Sequence, residues 1–329
     1  MSYPVHLPLL TNSAARAYRR CPREYQIGYV QGYRDVERAA PLLFGSLFHV
    51  ALEAWWRTVG TAPDSALDAA LATIPADTDP YEAAKATELL RGYDARWGGE
   101  DLEVLSVEVE FSTAVVNPDT GATSRTWALG GAIDAIARRR GEVFIVEHKT
   151  TSEDIGTGSP YWRRLTLDTQ VSTYFAGARA LGHDVAGCIY DVVRKPGIKP
   201  LRATPEADRK YTKAGLLYAA QRTEDETPEA YGARLREDIA ANPDRYYQRG
   251  DVVRLAEEER DAAADTWAIA RDIRDAELAG RYPRNPDSCL RWGRTCGFFD
   301  VCTRVASLED ETRFRRVERV NEELSSTAA

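Results

Sequence analysis

The sequence predicts an α/β fold in which a mixed central sheet is flanked by helices, with further helices added outside. Three observations carry that prediction. Residues 143–146, "VFIV", are apolar on both faces, as in a central strand covered by helices on each side. Two runs with strand character precede them, and a helix-period run followed by another strand run comes after. The order helix, three strands, helix, strand gives one compact α/β core.

Taken in order, "TNSAARAYRRCPREYQIGYV" (11–30) reads as a helix capped near Asn12 or Ser13. "LLFGSLFHVALEAWWRTV" (42–59) is apolar nearly all round, which predicts a buried helix. Residues 62–98 read as outer helices broken at Pro63, Pro75 and Pro80. "EVLSVEVEFSTAV" (103–115) alternates as a strand, and "NPDTG" (117–121) is a turn. "WALGGAIDAIARR" (127–139) and "EVFIVEHKT" (142–150) are the next two strands, joined through residues 139–141. A helix over "TLDTQVSTYFAGARAL" (166–181) and a strand over "VAGCIYDVVR" (185–194) complete the core. Residues 194–280 are charged and read as mostly helical, with a loop around Pro196–Pro205. Residues 283–303 are loop-like and carry cysteines, and the tail from 322 is expected to fray.

The chain has 329 residues, 43% hydrophobic and 29% charged, enough for one large core or a core with an added module. No apolar run is long enough for a membrane helix, and "MSYPVHLPLL" lacks the basic start of a secretory signal, so a cytoplasmic protein without a membrane partner is expected. The net charge of −8 opposes non-specific coating of nucleic acid but allows a local basic groove. Seven basic residues (Arg194, Lys195, Lys199, Arg202, Arg209, Lys210, Lys213) against Glu206 and Asp208 mark one such region, and Arg16, Arg19, Arg20 and Arg23 another. Either could equally be a solvated surface.

The strand at 142–150 ends on charges. Glu147 and Lys149 share a face and His148 points the other way, because side chains alternate along a strand. Charges at the rim of a core are costly unless paired or metal-bound, and an isolated Glu-x-Lys is ordinarily an ion pair. Asp134 lies on the preceding strand, behind Gly130 and Gly131, which would allow backbone or ligand to approach. Two carboxylates on adjacent strands beside a lysine suit Mg²⁺ or Mn²⁺ and phosphodiester hydrolysis. The lysine itself is unusual in a chain with six lysines and 37 arginines. It is a compact charge whose pKa can be tuned.

The pattern D-x(12)-E-x-K across a strand hairpin resembles the PD-(D/E)XK nucleases, and more narrowly the RecB-like branch. "GSLFHVALE" is similar to that branch's G-x-x-x-H element, which implies His49 as a metal ligand. "QVSTY" is similar to its Q-x-x-x-Y motif, which implies roles for Gln170 and Tyr174 at i and i+4 on one helical face. The resemblance further implies a restriction-endonuclease-like core, a metal shell of His49, Asp134, Glu147 and the backbone carbonyl of His148, and Lys149 acting on the attacking water. Taken alone, His49 would be a core histidine, Gln170 and Tyr174 a helix surface, and Asp134 a turn cap.

Five cysteines, an odd number, argue against a disulfide framework. Cys188, in a strand, reads as a small core residue. "SCLRWGRTCGFFDVC" spaces Cys289, Cys296 and Cys302 as C-x6-C-x5-C, with Cys21 far upstream in "RRCPREY". One distant cysteine and a C-terminal trio resemble the iron–sulfur clasp of AddB-type and CRISPR-adaptation nucleases, which implies a 4Fe–4S cluster. Structural zinc is the alternative.

The expected organisation is a helical region over 1–100, a nuclease core over 101–195, a helical and DNA-contacting insertion over 196–282, and the clasp with its tail over 283–329. The expected function is metal-dependent cleavage of DNA, as an exonuclease on free ends in recombination, repair or phage DNA processing. Alternatives are a CRISPR-adaptation nuclease, a DNA-end-binding subunit whose nuclease core has become structural, and a zinc-stapled scaffold without DNA affinity. No G-x-x-x-x-G-K-[ST] motif is present, so unwinding would require a helicase or recombination partner. Tyr161 and Trp162, beside Arg163 and Arg164, are the best base-stacking candidates. Trp55, Trp56 and Trp127 read as core.

Overall fold

The structure, a computed structural model, describes residues 7–36, 40–291, 293–322 and 324, so most of the tail expected to fray lies outside the described residues. The strands are β1 (Leu9–Thr11), β2 (Tyr33–Asp35), β3 (Glu103–Val116), β4 (Thr123–Arg139), β5 (Glu142–Thr151), β6 (Val185–Arg194), β7 (Tyr247–Val252), β8 (Leu290–Arg291), β9 (Arg294–Thr295) and β10 (Phe314–Arg316). The principal helices are α1 (Asn12–Arg20), α2 (Ala40–Val59), α3 (Pro80–Trp97), α4 (Thr169–Ala180), α5 (Pro228–Ala241) and α6 (Ala256–Ala279).

Among the described residues the main sheet has six strands in the order β1-β4-β5-β6-β7, with β3 on β4 as well. It is mixed: β1 with β4 and β5 with β6 are parallel, and the remaining pairs are antiparallel. The two-residue link between β4 and β5, Arg140–Gly141, has positive φ at both positions. That is the geometry of a tight hairpin turn, and glycine makes it accessible at the second position.

Strand alternation divides the core into two layers. Ile145, Cys188, Tyr190 and Val192 pack beneath α1, α4 and α6. Phe144, Val146, Ile189 and Val193 pack beneath α2, α3 and α5. The sheet is therefore covered on both sides, as the doubly apolar run at 143–146 predicted.

β4 has to serve three partners. Its one edge pairs with β3 along most of its length. On the other edge, β1 pairs with Ala128–Gly130 and β5 with Ala135–Arg139. Residues 131–134 have no strand partner on that edge, so the sheet opens there, and Asp134 stands at the opening.

Several elements depart from the sequence expectation. The helix expected over 11–30 breaks at Cys21, whose backbone is extended, because Pro22 has no N–H to continue the ladder. Its N-cap is Thr11, whose Oγ1 accepts from the Ala14 N–H at 3.2 Å. Residues 195–227 contain no α-helix, and Tyr247–Val252 is an edge strand of the main sheet. Gly130 and Gly131 make room for side chains. A Cβ at Gly130 would lie 3.0 Å from Leu9, and one at Gly131 3.0 Å from the Phe111 ring and 3.4 Å from Tyr174.

Candidate metal centre and basic surfaces

The site forms where the sheet opens. Asp134 is buried, and its Oδ2 accepts the backbone N–H of His148 at 2.7 Å. This bond replaces the next rung of the β4–β5 ladder after Ala135↔Val146. β5 alternates as expected: Glu147 and Lys149 face α4, and His148 faces α2. Lys149 Nζ donates to Glu147 Oε1 and, at 2.8 Å, to Gln170 Oε1. Gln170 Nε2 in turn donates to the Tyr174 hydroxyl at 2.8 Å. The structure thus joins Glu147, Lys149, Gln170 and Tyr174 in one hydrogen-bonded chain.

On the other side of the opening, α2 delivers His49. Its Nε2 lies 3.0 Å from Glu108 Oε1 and 3.8 Å from Asp134 Oδ1. Ligand atoms of His49, Glu108 and Asp134 all fall within 4.8 Å of one another. Glu108 was not anticipated. It has φ of +51°, between Val107, paired to Ala135, and Val109, paired to Ile133, which sets it opposite Asp134. Such a backbone is rare for a non-glycine residue and is held by its surroundings.

Burial and charge shape the titration of the centre. Burial pushes the Glu147 carboxyl up and the Asp134 charge adds to that, against the opposing pull of Lys149. Glu147 Oε2 is buried without a hydrogen-bond partner. Burial alone would lower His49, but its bond to Glu108 and the charge of Asp134 outweigh that and raise it to about 9. This favours the protonated form of His49, which lies between the two carboxylates. Three carboxylates, one with an orphaned oxygen, and an imidazole form an oxygen-rich donor set suited to a hard divalent ion. Ligation by His49 would require that proton to leave.

His148 has a different role for its side chain. Its Nδ1 lies 3.0 Å from Asp191 Oδ2, a carboxylate that also accepts from Tyr93 and from Arg249 Nε at 3.0 Å. Burial alone would raise Asp191, but the Arg249 charge and the bonds from His148 and Tyr93 hold it well below the usual carboxylate range. Trp56 packs against His148 at a ring separation of 5.2 Å.

The aromatic and basic candidates separate clearly. Trp55, Trp56 and Trp127 are buried, as expected. Tyr161 and Trp162 are not in an open polar loop. They lie on a short helix (Pro160–Leu165) that buries Tyr161, so it offers no free stacking face, while Trp162 is partly buried with its Nε1 tied to the Ile155 carbonyl at 2.8 Å. Arg19 pairs with Asp265 and Arg20 with Glu24, while Arg16 of α1 is exposed. Within 194–213, Arg194 and Arg202 pair with Asp154 and Asp225.

Cys21, Cys289, Cys296 and Cys302 line one cavity of about 880 Å³, together with Arg23 and Arg284. The Asn285 N–H points to Cys21 Sγ at 3.4 Å, and the Cys296 N–H donates to the Cys289 carbonyl at 2.7 Å. Cys188 is separate and fully buried in the sheet. The chain ends meet again where β2 pairs with β10.

The residues at the split of the mixed sheet could hold a divalent metal ion. The chain belongs to the PD-(D/E)XK nuclease superfamily, whose family model matches residues 10–303. Membership implies metal-dependent nuclease activity with DNA as substrate. Among solved structures, the crystal structure of SSO0001 is similar at 14% identity over 88% of this chain and 84% of that one, with a TM-score of 0.36. A search of curated proteins found no match. Among the described residues no helix is long and apolar enough to cross a membrane.

Proposed function

We propose that the chain is a DNA exonuclease of the RecB-like branch, acting on free ends in recombination, repair or phage DNA processing. The observation that carries this reading is the hydrogen-bonded chain Glu147–Lys149–Gln170–Tyr174, set beside the His49, Glu108 and Asp134 cluster. It joins the Glu-x-Lys of the general nuclease pattern to the Q-x-x-x-Y motif of the RecB-like branch. In this reading Asp134, Glu147, His49, Glu108 and the His148 carbonyl hold Mg²⁺ or Mn²⁺. Bound there, the ion supplies Lewis-acid polarisation of the scissile phosphate and a water of lowered pKa. Lys149 stays protonated, since the charges of Glu147 and Asp134 outweigh the effect of its burial. It orients the attacking water and places positive charge beside the phosphate as negative charge develops. Gln170 and Tyr174 hold the Lys149 ammonium in place.

The four-cysteine cavity is read as a 4Fe–4S clasp. It draws support from the convergence of four thiols from both chain ends in one cavity. Iron and acid-labile sulfide at four each per chain, with a brown chromophore, would bear this out, and one zinc per chain would replace it.

The nuclease reading is tested with DNA labelled at either end, single- and double-stranded, incubated with Mg²⁺ or Mn²⁺ and wild type or Lys149→Ala. Metal-dependent shortening from an end, lost in the variant while DNA remains bound, is expected. Internal cuts on circular DNA would refute the exonuclease assignment, and equal activity of the two proteins would refute the site.

A further inference from the structure

We propose that residues 201–226 form a rigid arm that grips single-stranded DNA beside the site by stacking bases on Tyr211 and Tyr218. The proposal rests on the nuclease reading above and deepens it by naming the strand contact.

The arm is built as a hairpin. At its base, Leu201 and Glu226 exchange hydrogen bonds: the Leu201 N–H donates to Glu226 Oε2 and the Glu226 N–H to the Leu201 carbonyl, both at 2.9 Å. Glu226 is buried and clamped by Arg234 through two nitrogens, at 2.6 and 2.7 Å. Further along, the Thr204 N–H meets the Arg222 carbonyl, and Gln221 bridges the Lys210 N–H and the Asp208 carbonyl. Tyr211 and Leu217 form a bridge around a turn at Thr212–Gly215, where Gly215 has φ of +77°. A segment laced in this way carries its side chains in fixed directions.

Those side chains have no reason to be exposed in an isolated protein. Tyr211 is 55% exposed, Leu216 67% and Tyr218 52%. Clustered exposed apolar groups mark an interaction surface. Charge identifies the partner. Residues 209–222 contain four basic residues and no acidic one, in a chain of net charge −8, and four of its six lysines fall within 195–213. Among the described residues, Lys210 and Lys213 have no ion-pair partner. Basic groups interleaved with aromatic rings match a single strand, which offers phosphates and unstacked bases together.

Position completes the argument. The arm leaves from the end of β6, where the Lys195 N–H donates to the Thr151 carbonyl at 2.7 Å. Thr151 lies two residues beyond Lys149 on β5, about 7 Å along the strand. Residues 196–200 lead from that point to the arm's base, where the Tyr81 hydroxyl of α3 donates to the Glu226 carbonyl at 2.6 Å.

The test measures fluorescence anisotropy of a labelled single strand in EDTA, so that nothing is cut, with wild type, Tyr211→Ala/Tyr218→Ala and Lys210→Gln/Lys213→Gln. The tyrosine variant should bind at least about tenfold more weakly, but should differ little from wild type on a strand of abasic sites. The lysine variant should lower the slope of log K against log salt by about 1.4. Wild-type affinity and salt slope in both variants, with Lys149-dependent cleavage intact, would overturn the arm and leave the nuclease. Equal loss on abasic and normal strands would overturn the stacking. A wild type that neither binds nor cuts DNA would overturn both readings.

Discussion

Asp191→Asn tests whether the buried network behind the centre is essential to the fold. Asp191 is 1% exposed and accepts from His148, Tyr93 and Arg249. Arg249 is itself buried, over the Trp97 ring at 4.2 Å, with Glu100 as its other carboxylate partner. The substitution removes one charge from the centre of this group and turns an amide N–H₂ toward donors. Breaking one side of a buried pair costs about 3–5 kcal/mol. For 329 residues the entropy of unfolding is about 0.7 kcal/mol/K, so the melting temperature should fall by about 4–7 °C at pH 7. The dependence on pH has a definite sign. Asp191 is depressed below its ordinary 3.8, so its stabilisation is present above that value and is lost as the pH falls through the folded pKa. The difference between wild type and variant, measured by calorimetry, should be flat above pH 5 and narrow toward pH 3. A melting temperature within about 1 °C of wild type at pH 7 would refute the reasoning.

Three other outcomes follow from the same geometry. Glu108→Gln should weaken Mn²⁺ binding in a calorimetric titration and move the His49 titration from about 9 toward its ordinary 6.5, as followed by NMR. An unchanged midpoint would detach Glu108 from the centre. Cys296→Ala should lower thermal stability far more than Cys188→Ala, because only the first would open the proposed clasp between the chain ends. Equal melting of the two would remove the clasp. Gly177→Ala should cost about 1–3 kcal/mol by overpacking, since its Cβ would sit 2.5 Å from the Phe111 ring. A melt identical to wild type would show that α4 can shift without penalty.

The parts of the site legible in the sequence are those governed by local periodicity. Strand alternation sufficed to set Glu147 and Lys149 on one face and His148 on the other, and helical spacing sufficed to pair Gln170 with Tyr174. Glu108 was not legible for a specific reason. A regular ladder continuing from Val116↔Thr123 would put it opposite Gly131, but the register shifts so that Ala114 meets Ala128. That displacement sets Glu108 against Asp134, and nothing in "SVEVEF" announces it. Edge strand β7 was hidden likewise. "YQRGDV" is short, polar and interrupted by Gly250, and it becomes a strand because β6 offers a free edge. Its glycine is filled from outside, since a Cβ there would lie 2.5 Å from the Trp162 ring. The same contact packs Trp162, partly buried, against the core.

The end of β5 is held from both faces, and this gives the alternation of "EHK" its physical purpose. On one face Lys149 is fixed by Glu147 and by Gln170, which α4 presents. On the other, His148 is anchored to Asp191, itself tied to Arg249 and Tyr93. Between them, the His148 N–H is bound by Asp134. At the place where β4 loses its strand partner, side chains thus replace the ladder that would otherwise keep the backbone straight. A strand end free on either face would let Glu147 turn its orphaned oxygen toward water. Pinned on both faces, the carboxylate keeps that oxygen unpaired and buried. A buried acceptor without a donor is costly in the protein alone, by about 1–3 kcal/mol, and is relieved when a cation arrives. The His148 network therefore acts on the centre through the backbone it holds and through the His148 ring, which packs edge-on against His49 at 6.2 Å. Metal affinity should accordingly fall in Asp191→Asn even at temperatures where that variant remains fully folded, and undiminished Mn²⁺ affinity there would show that α4 and Asp134 suffice to hold the strand.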